Sequence, residues 1–205
     1  MGLEDVLRGL KGFPERLGLD LGDPGDRFKW FLASLLFAKR ISYRIAEETF
    51  RRFVEEGLTT PSRIVEAGWG RLVEVLDSGG YVRYDFSTAS NLLEAARKLL
   101  DEYGGDVDRI HELASDGRDL ERRLMEFRGF GPTAVNIFLR ELRDVWRKAD
   151  PAPSRLAVEA AERLRLRDVK RFESKLVLLN LEYCKRKRCD VCPVRSHCTE
   201  PSRAG

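Results

Sequence analysis

The feature that most constrains the fold of this chain is a cluster of four cysteines near its end. They follow the pattern Cys184-x4-Cys189-x2-Cys192-x5-Cys198, and the sequence has no other cysteine. A disulfide framework usually spreads its cysteines through a small secreted domain, so this clustering favours a metal centre. Four thiolates in one short loop can ligate either an iron–sulfur cluster or a tetrahedral zinc ion. Because the spacing is unlike that of paired zinc knuckles, we expect a [4Fe-4S] cluster rather than zinc.

The composition is that of a globular chain long enough to bury a core. Of its 205 residues, 42% are hydrophobic and 35% are charged. No apolar run approaches the roughly 18 residues of a membrane span, and the first residues do not resemble a secretory signal. We therefore expect an intracellular protein of the cytoplasm or nucleoid, with no membrane partner. A net charge of +3 is too small to indicate nucleic acid by itself, and the absence of glutamine beside abundant charge is typical of a thermophilic source.

Helical periodicity runs along most of the sequence, and no set of alternating strands is evident, so the predicted fold class is all-α. Asp26 is expected to cap a strongly apolar helix from Arg27 to Lys39, and Thr60 is expected to cap a helix that starts at Pro61. The stretch 81–86 has no clear assignment. The other helices are predicted over residues 43–56, 61–67, 71–77, 87–103, 107–114, 118–127, 133–147, 151–164 and 168–183.

A helical hairpin is predicted where two helices flank the segment Arg128-Gly129-Phe130-Gly131-Pro132. Two glycines allow positive φ and close approach of the backbone to another molecule. The turn leads into a helix N-terminus, whose free N–H groups favour an anion such as phosphate. Phe130 is expected to pin the hairpin to the core. On these residues alone, an ordinary helix–turn–helix connection with glycine at a C-cap is the favoured interpretation.

Together these motifs resemble the endonuclease III-like branch of the helix-hairpin-helix DNA glycosylase superfamily. The resemblance covers most of the chain and rests on four segments that occur in the family's order. These are Leu35-Leu36-Phe37-Ala38-Lys39-Arg40, Phe127-Arg128-Gly129-Phe130-Gly131-Pro132-Thr133-Ala134, Asp150 and the cysteine loop. The first cysteine interval, of four residues, is shorter than the family's usual six, which implies a shorter or differently shaped loop.

The resemblance implies two helical domains. One would be a six-helix barrel over residues 23–144 that contains the helix-hairpin-helix at about 121–142. The other would join residues 1–22 to residues 145–205 and carry the [4Fe-4S] loop. The expected partner is double-stranded DNA with a damaged or mismatched base, bound by a monomer with the flipped base held between the domains.

Asp150 matches the family's catalytic carboxylate, which stabilises the positive charge that develops on the sugar as the base leaves. A second interpretation is a helix cap, because Pro151 follows it directly. Thr133 occupies the position where bifunctional members carry a Schiff-base lysine, and a hydroxyl cannot form that intermediate. The resemblance therefore implies a monofunctional enzyme, although Lys39 or Lys148 could serve a lyase. Thr133 could also be only a helix-start residue.

The remaining candidates are contacts to DNA. Lys39 and Arg40 match the place where family members insert a side chain into the gap left by base flipping, and Lys39 could equally be a charged helix end. Tyr81 and Tyr84 are possible base-pocket residues, with ordinary packing as the alternative. Gly129, Phe130, Gly131 and Thr133 would bind DNA at the hairpin. The run Lys185, Arg186, Lys187 and Arg188 would contact phosphates.

The resemblance therefore implies a base-excision-repair DNA N-glycosylase that is monofunctional. Two alternatives stay open: a bifunctional glycosylase that also cleaves abasic sites, and a non-catalytic iron–sulfur protein that binds DNA. The residues are compatible with removal of uracil, of thymine opposite guanine, of adenine from mispairs, and of alkylated or oxidised bases.

Overall fold

The computed structural model describes residues 2–200, and the regular secondary structure in that range is helical, which confirms the all-α class. No helix in this range has the length and apolar character needed to cross a bilayer. The α-helices are Leu3–Gly9 (α1), Phe13–Arg16 (α2), Pro24–Phe37 (α3), Tyr43–Glu55 (α4), Pro61–Ser78 (α5), Asp85–Tyr103 (α6), Asp108–Leu113 (α7), Gly117–Met125 (α8), Pro132–Arg140 (α9), Arg155–Leu164 (α10) and Glu173–Leu179 (α11).

The chain divides into two compact units. The first, which we call the hairpin unit, is Leu19–Asp150; the second, the cysteine unit, combines the residues up to Gly18 with those from Pro151 onward. The boundaries expected from the sequence lie at 22/23 and 144/145, whereas the structure keeps 145–150 in the hairpin unit. The reason is Trp146, which donates from Nε1 to Asp108 (2.8 Å) and packs its ring 5.4 Å from that of Phe138.

The core of the hairpin unit is built around α3, most of whose side chains are buried. Phe31 stacks on Phe130 at 4.3 Å between ring centroids and meets Phe127 and Phe138 edge-on at 5.3 and 5.6 Å. Such aromatic contacts add stability beyond the burial of apolar area. Because Phe127 directly precedes the hairpin turn and Phe130 lies within it, this cluster fixes the turn to α3.

The start of α3 differs from the prediction. The helix begins at Pro24, and its cap is Asp23, whose side chain accepts the N–H of Gly25 at 2.7 Å. Asp26 lies inside the first turn, where it accepts from Lys29 at 2.7 Å. Proline at the first helical position explains the earlier start, since that position needs no N–H donor. The cap predicted at Asp26 is therefore wrong.

Three further helix boundaries in the hairpin unit bear on the predictions. Thr60 caps α5 by accepting the N–H of Arg63 at 3.3 Å, as expected. The two short helices predicted over 61–67 and 71–77 are the two halves of α5, which meet at a kink where Gly68 has φ +72°. Residues 81–84 of the unassigned stretch form a turn, residues 85–86 begin α6, and the C-cap of α6 is Gly104 in the left-handed conformation.

The helix after the hairpin turn is shorter than predicted. α9 ends at Arg140 rather than at 147, and the chain then turns through 141–145. The N–H of Trp146 closes this turn on the carbonyl of Leu142 at 2.7 Å. A straight helix would carry the Trp146 ring away from Phe138 and His111, on which it packs.

The cysteine unit is held together by contacts between the two ends of the chain and between α10 and α11. The N–H of Phe13 donates to Ser174 Oγ at 3.0 Å, and a Cβ on Gly12 would lie 2.9 Å from the same oxygen, so the N-terminal segment packs closely on α11. Glu173 is buried and accepts the N–H of Ser154 at 2.7 Å. These bonds join residues that are far apart in sequence into one unit.

Two helix predictions in the cysteine unit are wrong. α10 begins at Arg155 instead of Pro151, because Ala152 precedes Pro153 and a residue before proline is disfavoured in helical geometry. The helix predicted over 168–183 is broken into a 3-10 turn, α11 and a π-helical turn, Asn180–Cys184. In the π turn, the carbonyl of Asn180 accepts from Lys185 (2.9 Å), while its amide donates to the Leu156 carbonyl (2.9 Å).

Candidate nucleic-acid interface and metal centre

The hairpin turn between α8 and α9 contains two glycines with different structural roles. Gly129 has φ +88°, and a Cβ there would lie 2.8 Å from Asn91 Nδ2, so both backbone conformation and space require glycine. Gly131 has φ −80°, an ordinary value, and a Cβ there would meet nothing within 4 Å. The expectation of positive φ is thus confirmed at Gly129 and wrong at Gly131. Gly131 instead leaves open space beside the start of α9.

The N-terminus of α9 is the anion-binding feature that the sequence predicts, and it is open. Gly131 is the N-cap and supplies no side-chain hydrogen bond, and Pro132 at the first position has no N–H to satisfy. Thr133 follows on the exposed surface. The next N–H groups of this first turn, together with the helix dipole, favour a bound anion.

Phe130 does not present its side chain to a ligand. It is 2% exposed and stacks on Phe31 inside the core. The expectation that Phe130 pins the hairpin is confirmed, whereas its inclusion among DNA-contacting side chains is wrong. Its position between the two glycines holds the turn in place from below.

Asp150 is the last residue of the hairpin unit, and its carboxylate is open to solvent, with 64% of the side chain exposed. Its Oδ1 lies 3.7 Å from Nε of Arg143, a mostly buried side chain, so the carboxylate has a cation beside it. The interpretation of Asp150 as a helix cap is wrong, since α10 begins at Arg155 with Ser154 as its cap residue. What remains is an accessible anion next to an arginine.

The two lysines considered as lyase nucleophiles have different surroundings. Lys148 Nζ donates to the carbonyls of His111 (2.8 Å) and Ala114 (2.6 Å) at the end of α7, where it acts as a cap for that helix. Lys39 is half-exposed in the link after α3, and Arg40 beside it is exposed. Lys39 and Arg40 therefore lie together on the α3–α4 link, as a surface contact requires.

The two candidate base-pocket tyrosines lie side by side, with ring centroids 6.4 Å apart, but they differ in burial. Tyr81 is fully buried, and its hydroxyl donates to the carbonyl of Leu36 at 2.6 Å. Burial raises the pKa of this phenol well above its usual value. Tyr81 is thus a core residue, and its assignment to a base pocket is wrong because no ring face is accessible. Tyr84 is half-buried, and Arg83 lies over its ring at 5.4 Å.

The four cysteines line a single cavity of about 280 Å³ in the cysteine unit. Apolar side chains form part of its wall, among them Leu164, Leu179 and Val194. Within residues 2–200, no group of three or more thiol, imidazole or carboxylate side chains lies close enough together to bind one metal ion. The thiols instead stand around a space larger than a single ion, and the four cysteines are not joined by disulfides.

Thiols and cationic side chains share the wall of this cavity. Burial raises the pKa of the Cys192 thiol, and the three other cysteines raise it further, so the four sulfurs interact electrostatically. A hydrogen bond to Cys184 raises the pKa of the Arg163 guanidinium, which also lines the cavity. Lys187 and Arg195 are two further cations on the wall.

The basic run of residues 185–188 is exposed and locally ordered. Lys187 takes the left-handed conformation (φ +53°), and the N–H of Arg188 donates to the Tyr183 carbonyl at 2.9 Å. The π turn before Cys184 and this reversal after it close the four-residue interval, which explains how a short loop spans the first two cysteines. The side chains of Lys185 and Arg186 lie on its exposed outer side.

Two residues at these sites carry no signal in the sequence. Arg143 and Arg163 are ordinary basic residues in a chain with 37 lysines and arginines, and neither belongs to a recognisable motif. Only the turn after α9 brings Arg143 beside Asp150, and only the packing of α10 brings Arg163 to the cysteines.

No protein-family model matches the chain, and no curated protein sequence matches it.

Proposed function

We propose that this protein is a monofunctional DNA N-glycosylase of the helix-hairpin-helix type, which hydrolyses the bond between a damaged or mismatched base and its sugar. The observation that carries the proposal is found within the hairpin unit. An open helix N-terminus with no side-chain cap, after a glycine turn, and an exposed carboxylate, Asp150, occur in the same compact unit. The first feature suits a phosphate, and the second suits a developing cation on the sugar.

Binding to DNA would begin at the backbone phosphates. The first turn of α9 offers N–H groups beside Gly131, where the absence of nearby atoms lets a phosphate approach. Lys39 and Arg40 add exposed positive charge in the hairpin unit, and Lys185 and Arg186 add it in the cysteine unit. Such contacts position a protein on a duplex without reading its sequence.

The chemical step needs an anion near C1′, because positive charge builds up on the sugar as the base departs. Asp150 supplies one, and Arg143 at 3.7 Å helps to fix its direction. Water then adds to C1′, the base leaves with the bonding electron pair and a proton, and an abasic site remains. Losing a group that stabilises transition-state charge costs about 10²–10³ in rate.

A monofunctional reaction is proposed because neither Thr133 nor Lys148 presents a free amine. Thr133 carries a hydroxyl, which cannot form a Schiff base. Lys148 is engaged with the carbonyls at the end of α7. Lys39 retains a free path to solvent and is the lysine that a trapping experiment must examine.

The cysteine cavity fits the proposed iron–sulfur cluster by its donor set and its size. Four thiols surround one space of about 280 Å³, partly walled by apolar side chains, as suits a group of several metal and sulfide atoms. Cys184, Cys189, Cys192 and Cys198 would be the ligands. The cluster would supply a structural cross-link that holds the basic loop, and hydrolysis of the glycosidic bond needs no electron from it.

A panel of duplex oligonucleotides tests the proposal. Each carries one candidate base, such as uracil or thymine opposite guanine, an adenine mispair, or an alkylated or oxidised base. The expected result is strand breakage only after alkali, since base removal alone leaves an intact backbone. Breakage without alkali, with borohydride trapping that Lys39→Ala abolishes, would show the bifunctional alternative. Tight binding with no base removal on any duplex would show a non-catalytic DNA-binding protein.

A further inference from the structure

Arg163 contacts both ends of the cysteine loop. It lies in the last turn of α10, and its side chain lines the cavity with all four cysteines. Its backbone carbonyl accepts two hydrogen bonds from Thr199, from the N–H at 2.8 Å and from Oγ1 at 3.0 Å. Thr199 directly follows Cys198, so the end of the loop is tied to α10 at this residue.

The side chain of Arg163 acts at the other end of the loop. Its guanidinium lines the same cavity as the Cys184 thiol and lies within hydrogen-bonding reach of that sulfur. The carboxylate of Glu200 lies 3.9 Å from Nε, which orients the guanidinium from the outer side. A planar guanidinium with five donors can bond a sulfur and a carboxylate together, whereas an ammonium is a single point charge.

We propose that Arg163 is a positioning residue for the cysteine centre, which joins Cys184 to the end of the loop and raises the reduction potential of the iron–sulfur cluster held there. The inference rests on the cofactor in the proposed function. Hydrogen bonds to cluster sulfurs and nearby charge are among the protein's means of setting such potentials. A cation that bonds to a ligand sulfur stabilises the reduced state more, because that state carries the additional electron.

The test compares variants of Arg163 with a matched arginine on the same helix. Arg155 is 90% exposed and pairs with Glu159 one turn away, so Arg155→Gln removes equal charge from α10 at a site that does not line the cavity. The midpoint potential of the purified holoprotein is measured by voltammetry, in which the electrode exchanges one electron with the cluster and no bond forms or breaks. Iron and sulfide content per chain and the rate of iron loss to a chelator are measured on the same samples.

Arg163→Gln is expected to change the ratio of reduced to oxidised cluster about tenfold, a fall in potential of about 59 mV for one electron. Iron loss should quicken by about 10-fold or more, as for other groups that orient metal ligands. Arg163→Lys keeps the charge but not the planar donors, so its potential should fall by less. Arg155→Gln should match the parent protein in both measurements.

The outcomes separate the inference from the proposal beneath it. A parent protein that contains no stoichiometric iron and sulfide overturns the cofactor and the inference together. A loaded protein whose potential is the same in the parent, Arg163→Lys and Arg163→Gln overturns the inference alone. If Arg163→Gln fails to retain its cluster, the decision falls on Arg163→Lys, where an unchanged potential contradicts the role and a lowered one supports it.

Discussion

The two glycines of the hairpin turn offer a matched pair of substitutions with opposite expected effects. Gly129→Ala places a residue at φ +88° and a Cβ between 2.8 and 3.0 Å from the side chain of Asn91. A left-handed L-residue costs about 1–2 kcal/mol, and overpacking costs about 1–3 kcal/mol. We expect a loss of about 3 kcal/mol in the free energy of unfolding, which for a chain of this size lowers Tm by about 6–12 °C.

Gly131→Ala is the control for stability. Its φ is −80°, and no atom lies within 4 Å of the added Cβ. Loss of a glycine cap and a less flexible unfolded chain oppose each other, so the net change should stay below about 1 kcal/mol. The same methyl group occupies the space through which a phosphate would approach, so affinity for duplex DNA should fall while Tm is kept.

The stability of Gly129→Ala and Gly131→Ala is measured by urea and thermal unfolding. Their affinity for duplex DNA is measured at one fixed salt concentration. In the double variant Asn91→Ala/Gly129→Ala, the clash with the Asn91 side chain is removed, so the part of the lost unfolding free energy that is due to overpacking should be recovered. The part that is due to the left-handed backbone conformation should remain. Equal destabilisation by Gly129→Ala and Gly131→Ala would refute the assignment of separate roles to the two glycines. So would a Gly129→Ala protein as stable as the parent.

Two further effects on stability follow from the structure. Arg165 is exposed after α10 and has φ +51°, a conformation that glycine adopts without strain. Arg165→Gly should therefore stabilise the protein by about 1 kcal/mol, whereas Arg165→Ala should not. Equal denaturation midpoints for the glycine variant and the parent protein would contradict this. Burial and the nearby Lys148 lower the pKa of His111, whose Nε2 accepts the Lys148 N–H at 3.4 Å and must be unprotonated to do so. Its contribution to stability should therefore be complete above the unfolded value of about 6.5 and be lost as pH falls below it. The slope of urea midpoint against pH should flatten in His111→Phe, and a parent protein that is more stable at acid pH would contradict the sign.

The helical class and several helix ends could be predicted because they depend on local chemistry. Thr60 before Pro61 and Gly104 after α6 mark boundaries by their own side chains, or by the absence of one. The hairpin turn was also readable, since a glycine, a large apolar residue and a glycine between two amphipathic helices leave few alternatives. Phe130 had to be buried for the turn to be held.

The errors arise where distant residues decide the local conformation. α9 ends early because Trp146 bonds to Asp108, some way back in the chain, and no local signal marks that partner. Tyr81, beside two glycines, was compatible with a base pocket or with ordinary packing, and the fold decides for packing because its hydroxyl donates to the carbonyl of Leu36 in the core. The Asp150-Pro151 pair looked like a helix start, and the second proline at 153 moved that start to Arg155.

The candidate site was predictable as residue types but not as an arrangement. The spacing of the four cysteines is enough to predict that they share one site. The positions of Arg143 beside Asp150 and of Arg163 beside Cys184 depend on the tertiary fold and could not be predicted. A single basic side chain among many carries no pattern, and its role depends on what packs against it.

The most direct test of the central claim is a single-turnover assay of base release by Asp150→Asn on whichever duplex the parent protein processes. The account predicts a loss of about 10²–10³ in rate with DNA affinity retained, because the amide removes the negative charge that faces the sugar. Asp144→Asn, which alters another exposed carboxylate in the turn after α9, should keep the parent rate. An Asp150→Asn protein that releases base as fast as the parent would contradict the assignment of Asp150 to the chemistry.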